Sequence, residues 1–479
     1  MPLQKVHFAE EVPEEFRASL QAIRDELDVP EAFPAEVVEA AVVAARNPRV
    51  PELDRTDIDF VTIDPLGSMD LDQALHIERA GDGYTVHYAI ADVAAFVRPG
   101  DPVDAEARRR GETLYAPDKR TPLHPAELSE GAASLLPDQV RPALLWTITV
   151  DASGEGTEVD VRRALVRSRA KLDYAGVQKD LDAGTASESL RLLREVGKLR
   201  EARERERGGV NLPIPEQEVV TGNGSWTLEF RAPLPVENWN AHISLLTGMA
   251  AAHLMMYGEI GILRTLPESS DGFQRRLENT AKALGIPWPA GMTYAQFIHT
   301  LDPKLPAHSA MLAACTVLFR GAGYTSFSGS VPPNPVHAAM KSEYAHVTAP
   351  LRRLVDRWAG EICVALCAGQ PVPDWVRESM DTIPRIMEEN DRKAHAYDRA
   401  IVDMVEAGLV HDKVGHEFDG VITDLDDKDP TRGIVVISSV AVEGRVSASH
   451  PLPLGQRVRV RLAVADIAKR TIAFELVEG

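Results

Sequence analysis

The stretch TIDPLGSMDLDQAL, residues 62–75, sets three aspartates at the mouth of a hairpin. Ala74 to Ile77 and Tyr84 to Ile90 alternate apolar positions in the manner of strands, with Gly81-Asp82-Gly83 between them as the turn. Asp70 and Asp72 are two apart on what reads as an extended segment, so both carboxylates are expected on one face. Asp64 precedes a loop containing Gly67 and Ser68 that can fold it back beside them. Converging carboxylates resist joint ionisation unless a counter-charge is present, and a hard divalent cation such as Mg²⁺ supplies one. A cluster of this kind activates water and stabilises in-line attack on a phosphodiester. On spacing alone, a solvated acidic turn explains the same residues.

The chain has 479 residues, more than one hydrophobic core usually spans, so two or three domains are expected. Hydrophobic residues at 44% and charged residues at 26% match ordinary globular proteins. The N-terminus, MPLQKVHFAEEVPEEF, lacks a basic region followed by an apolar stretch and does not read as a leader. The longest apolar stretch, Leu245 to Tyr257, is broken by Gly248 and His253 and is too short to span a bilayer. Three cysteines make no disulfide framework, and Cys363 and Cys367, one helical turn apart, read as core thiols rather than a metal pair. A cytoplasmic protein is the expectation, a monomer with no membrane contact and no obligate protein partner.

A net charge of −20 argues against a broad basic footprint for nucleic acid. Positive charge is instead clustered: Arg108, Arg109 and Arg110 with Lys119 and Arg120 nearby, then Arg162, Arg163, Arg167, Arg169 and Lys171, then Lys198 to Arg207. Basic residues inside a channel of an acidic protein would favour a threaded strand. The third cluster alternates in sign like a solvated helix and is not expected to bind.

Residues from Glu14 to Ala45 read as two short helices interrupted by Pro30 to Pro34, a small helix-turn-helix-like cap whose default role is packing. Ala186 to Arg207, Asn240 to Tyr257, Ser309 to Gly321 and Pro350 to Leu366 have helical length and periodicity. Val376 to Met404 adds one or two more. From Glu417 to Glu478 come short β-rich runs, GIVVISSV, GRVSAS, QRVRVRLAVAD and RTIAFELV, with the spacing of a small OB-type barrel.

Beyond the aspartates, the chain resembles the ribonuclease II/R family and its RNB catalytic domain. Thr62-Ile63-Asp64, Asp70, Asp72, Ala74 and Ala89-Ile90-Ala91-Asp92-Val93 are similar to that family's first segment. YAPDKRTPLHPAELSEGAASLLP, from Tyr115 to Pro137, is similar to the second, and YAHVTAPLRRLVD, from Tyr344 to Asp356, to the third. The resemblance, which covers the chain from about Asp59, implies an α+β fold with an RNB domain at 55–406 and an all-β S1-like OB barrel at 407–479. The helical N-terminal element read above precedes them at 1–54. It implies an Mg²⁺-dependent, hydrolytic 3′→5′ exoribonuclease that draws in single-stranded RNA and uses two ions during catalysis.

Carried over on matching positions, Asp64, Asp70 and Asp72 would ligate metal, with Asp70, Asp72 and Arg352 catalytic. Arg352 would clamp a phosphate, with Arg353 as the neighbouring candidate. Tyr115 would stack on the terminal base and Tyr174 would be a second contact, each with a core ring as its alternative. Arg167 and Arg169 would touch the strand. Asp398 aligns with a family carboxylate, an exposed helical charge being the alternative. Gln73 stands where the family has a fourth aspartate and could ligate metal only through its amide oxygen, which predicts weaker affinity. Leu354 replaces a usual aromatic. The helix around Ala241 and His242 lacks paired glutamates, and His242 reads as a packing or polar contact rather than a general base. The region before Asp59 is too short for paired cold-shock barrels. Gln73 also keeps open an RNA-binding regulator on a weakened RNB scaffold.

Overall fold

In the computed structural model, five strands close into a barrel in chain order: Phe60–Asp64, Gln73–Ala80, Gly83–Ala91, Val140–Val150 and Gly156–Asp173. The structure describes residues 6–8, 14–210, 212, 216–222, 225–268, 271–319, 321–426, 428–437 and 442–477. Residues 1–5 and 9–13 of the N-terminal stretch lie outside these, as do 438–440 of the GIVVISSV run. The hairpin read from the sequence is present, with Leu75 opposite Tyr88 and Ile77 opposite Val86, and Gly81 turns it at φ +60°. Tyr88 faces Trp146 on the next strand, and Phe60–Asp64 closes the barrel by pairing parallel to Gly156–Asp173.

Strand alternation gives the barrel wall two buried faces. Leu75, Ile77, Val86, Tyr88, Ile90, Trp146 and Ile148 share a core with the helices Glu188–Arg207, Pro235–Tyr257 and Leu354–Cys367. Burying each such large side chain is worth roughly 1.5–3 kcal/mol. The other face combines Ala74, Ala89, Ala143 and Ala164 with Phe60, Leu145 and Val166. It packs with Val37 and Ala41 of the helix Ala35–Arg46 and with Leu71, Phe96 and Leu135.

The N-terminal helices, Glu14–Glu26 and Ala35–Arg46, each contribute buried residues to a core. Phe16, Leu20 and Ile23 join Tyr397, Ile401 and Met404 of the helix Ile383–Val410 in a core shared with Ile422, Val435 and Phe474 of the C-terminal barrel. That helix runs past the expected boundary at 406, because Ala407, Leu409 and Val410 are still buried in the shared core. The C-terminal barrel closes in the order Glu417–Leu425, Arg432–Ile437, Val442–Ser447, Thr471–Leu476, Arg457–Asp466, the third and fourth of these pairing parallel. This is the five-stranded closure of an OB fold. Among the described residues, no helix is long and apolar enough to cross a membrane.

The run expected as one helix from Ser309 is a helix Pro306–Ala314 continued by a 3₁₀ turn, Cys315–Phe319. The run beginning at Pro350 becomes helical only at Leu354. Residues 344–353 form instead a loop pressed against the helix Pro235–Tyr257. Gly248 permits this: a Cβ there would lie 2.2 Å from the Tyr344 ring and 2.6 Å from the Ala345 carbonyl oxygen.

Candidate active site

Asp64 is the last residue of its strand and lies in register with Asp173 on the closing strand. The Asp173 carboxylate accepts the Gly176 amide at 2.8 Å and caps the helix Tyr174–Ala183, which sets Tyr174 within electrostatic range of Asp64. The chain then turns, Ser68 N–H donating to the Pro65 carbonyl at 3.1 Å with Gly67 at φ +90°. Ser134 holds residues 69–71 in place. Its hydroxyl accepts the Leu71 amide at 3.0 Å and donates to the Met69 carbonyl at 2.6 Å, while Leu135 N–H donates to the Leu71 carbonyl. Regular strand resumes only at Gln73.

The two aspartates of that loop pair with different arginines while staying within electrostatic range of Arg352 and of each other. Asp70 meets Arg120 at 2.6 Å. Asp72 is 2% exposed, and its two oxygens accept the Arg352 Nε at 2.7 Å and the Leu351 amide at 2.8 Å. Among the described residues, no three Asp, Glu, His or Cys side chains converge on a metal position. Each Asp72 oxygen is thus already engaged by the segment that carries Arg352. The charges remain coupled: Asp70 raises the proton affinity of both Asp64 and Asp72, and Arg352 lowers it.

Burial pushes Asp64 up to about 6, with Arg352 pulling down, Asp70 adding to the rise and Lys171 opposing it. Burial pushes Asp72 up to about 7 against the pull of Arg352 and the Leu351 amide. For Arg352, burial works against the charge but is outweighed by Asp72, Tyr115 and Asp70, which hold the guanidinium firmly protonated. Tyr115 bonds Arg352 through its hydroxyl and is 40% exposed.

The donor set fits a loosely held divalent ion rather than a cage. Asp64 has no ion pair among the described residues, and Asp70 is the second carboxylate within reach of it. Mg²⁺ is commonly held by one or two carboxylates and keeps water in the remaining positions.

Both ends of the Gln73 amide are engaged within the protein. Its amide nitrogen donates to the Thr348 carbonyl at 2.6 Å and its oxygen accepts the Tyr88 hydroxyl at 2.8 Å. Thr348 bonds in turn to Ser244 at 2.7 Å, so the position ties the barrel to the loop that carries Arg352. Arg353 is likewise committed: Nε and Nη2 reach Asp356 at 2.9 and 2.8 Å, and Asp356 also accepts the Ala349 amide at 2.6 Å. A bidentate partner leaves Arg353 no fork for a phosphate.

Arg169 donates to Asp59 and to the Thr56 carbonyl, and Arg167 acts electrostatically on Asp54. Neither is engaged with the aspartates. Asp398 stands apart as well, raised to about 7 by burial, with one oxygen unpartnered among the described residues. Tyr174 is half-buried, and its hydroxyl accepts Asn240 Nδ2 at 3.5 Å. His242 is buried and lowered to about 4 by that burial, the uncharged packing residue expected.

The first basic cluster is spent internally, Arg108 on Asp104 and both Arg109 and Arg110 on Glu106. In the third, Arg200 is buried and donates to the Gly154 carbonyl, which the alternating charge pattern did not convey.

Two family models match this chain: "RNB domain" over residues 53–363 and "RNase II-type exonuclease C-terminal S1 domain" over 416–477. The chain belongs to the RNB family. Ribonuclease R of Escherichia coli (strain K12) is 27% identical over 509 residues, covering 94% of this RNB chain and 61% of that protein. The RNB chain thus spans about three-fifths of that relative's length. Among solved structures, Mycoplasma genitalium RNase R in complex with ribose methylated single-stranded RNA aligns at a TM-score of 0.81. It is 19% identical and covers 97% of this chain and 78% of that one. Yeast Ssd1, a pseudonuclease, aligns at 0.66 with 16% identity, covering 90% of this chain and 55% of that one. At these identities both share the RNB chain's fold.

Two site residues escaped the sequence reading. Arg120 was visible only as one more cation beside a basic run, and its pairing with Asp70 depends on a cross-strand contact between Leu114–Tyr115 and Arg120–Thr121. Lys171, in electrostatic range of Asp64, was hidden in the second basic cluster.

Proposed function

We propose that this chain is a hydrolytic, Mg²⁺-dependent 3′→5′ exoribonuclease acting on single-stranded RNA and releasing nucleoside 5′-monophosphates. The observation that carries the reading is the Asp72–Arg352 clamp set within electrostatic range of Asp64 and Asp70. Asp72 takes only Nε, which leaves the terminal guanidinium nitrogens available for a phosphate, with the Tyr115 hydroxyl beside them. A guanidinium held this way is ordered before substrate arrives, so little entropy is lost on phosphate binding. The half-exposed Tyr115 ring offers a surface for stacking a terminal base. Asp64 and Asp70 would hold Mg²⁺, which when bound supplies an activated water and charge stabilisation at the phosphate. The C-terminal OB barrel would guide the strand, and the cytoplasm is the setting we assign.

A second reading, an RNA-binding regulator, is favoured by Gln73 at a position of family acid and by Asp70 being neutralised in an ion pair. Uniformly labelled RNA separates the two. The enzyme reading expects chromatographed products to be 5′-monophosphates with Mg²⁺ present and none in excess chelator. Tight RNA binding with no released nucleotide would establish the regulator.

A further inference from the structure

Arg120 lies directly across a two-residue hairpin from Tyr115, the strand Leu114–Tyr115 pairing with Arg120–Thr121. Its turn is closed by Ala116 N–H donating to the Lys119 carbonyl at 3.0 Å. The guanidinium is forked. Nη1 meets Asp70 at 2.6 Å and Nη2 meets Glu130. Asp70 and Asp64 are the carboxylates most open to a cation here, since Asp72 is buried with each oxygen already accepting a hydrogen bond, and the Gln73 amide is held by Tyr88 and Thr348. The counter-charge that crowded aspartates require is thus already supplied, in part, by a side chain of the protein.

We propose that Arg120 occupies Asp70 until a divalent cation displaces it onto Glu130, so that this arginine sets the cation concentration at which the site fills. The inference rests on the metal-assisted reading given above. Two features make the exchange easy. Glu130 already holds the second arm, so releasing Asp70 leaves the guanidinium paired rather than stranded. The side chain is 28% exposed, so water can solvate the arm that lets go. Because the same short hairpin carries Tyr115, displacement of Arg120 also couples cation entry to the surface on which a base would stack.

The test measures binding directly, with Mn²⁺ as the probe, by electron paramagnetic resonance of the free ion in the full-length protein without RNA. Arg120→Gln is expected to bind Mn²⁺ about three- to fivefold more tightly than the wild type, the upper end of the scale of a partly exposed ion pair. Arg120→Lys, which keeps the charge without the fork, should fall between them and serves if the glutamine variant does not fold. In an Asp70→Asn background, the Arg120→Gln substitution should change affinity by less than about twofold, because the competing pair is already gone. Equal Mn²⁺ affinity of the wild type and both Arg120 variants overturns the inference and leaves the metal reading intact. No Mn²⁺ binding to any of them at millimolar concentration overturns the metal reading itself, and with it the role given to Arg120.

Discussion

Asp72 holds Arg352 and its neighbour at once: one carboxylate oxygen takes the guanidinium Nε at 2.7 Å and the other takes the amide of the preceding residue, Leu351, at 2.8 Å. The two segments are 280 positions apart in sequence, so this contact joins the two halves of the site. Thr113 N–H donating to the Arg352 carbonyl at 2.9 Å, and Leu354 N–H donating to the Gly111 carbonyl, hold the loop from the other side.

Asp72→Asn keeps an acceptor for the Leu351 amide and removes the charge that orders the guanidinium. Turnover is expected to fall about 10²–10³-fold, the usual loss when one preorganised electrostatic partner is removed. RNA affinity should fall much less. Single-turnover rates beside filter-binding constants check this, and a variant that keeps its rate would contradict the positioning role.

Arg352→Lys should be nearly as damaging as Arg352→Ala. A lysine has no planar fork, so it cannot hold Asp72 with one nitrogen while presenting others to a phosphate. Comparing the two rates is sufficient: recovery to within a few-fold of wild type by lysine would show that charge alone matters.

Tyr115→Ala should weaken binding of a short single strand by about 1–3 kcal/mol, the range for loss of one base–aromatic stack. Tyr115→Phe keeps the ring and should lose only what the hydroxyl contributes beside Arg352. Fluorescence anisotropy with a non-hydrolysable oligonucleotide distinguishes a stacking ring from a packing one.

Buried aspartates also predict a pH dependence. Asp64 at about 6 and Asp72 at about 7 lie above the ordinary carboxylate value of roughly 4. The unfolded chain releases these protons first, so their contribution to stability is greatest at the acid end. It is lost as pH rises through about 6 and 7 and changes little above that. Denaturant midpoints of the metal-free protein across this window should fall with pH, and Asp64→Asn should flatten the lower part of the curve. Cation binding takes the opposite course, strengthening as Asp64 ionises, because the ligand must be deprotonated.

How far the sequence could be read depended on whether a feature was local. The hairpin after Asp72 and the run of strands in the C-terminal barrel arise from apolar alternation and glycine turns, which act over a few residues. The convergence of Asp64, Asp70 and Arg352 was legible only through resemblance, since no local property of residues 62–75 points to residue 352. What misled was also local. Asp70 and Asp72 were read as strand neighbours, whereas Ser134 holds that stretch as a loop and turns the two carboxylates to different arginines. Gln73 looked like a diminished metal ligand, but its hydrogen bonds to Thr348 and Tyr88 are contacts that only the folded chain creates.

The bonded role of Gln73 has its own consequence. Gln73→Asp adds the acid the family usually has, yet it shortens the side chain away from both partners, so the buried Tyr88 hydroxyl and the Thr348 carbonyl each lose a hydrogen bond. A loss of about 1–3 kcal/mol is expected, seen as a lower melting temperature, with no gain in Mn²⁺ affinity. A clear gain in affinity at unchanged stability would return this position to the metal site.

Hydrolysis that starts at a free 3′ end is tested by comparing one linear RNA with its 3′ hydroxyl free and with its 3′ end blocked, under identical Mg²⁺. The free strand is expected to be shortened to a small end product while the blocked strand stays intact. Equal degradation of the two would exclude attack from the 3′ end.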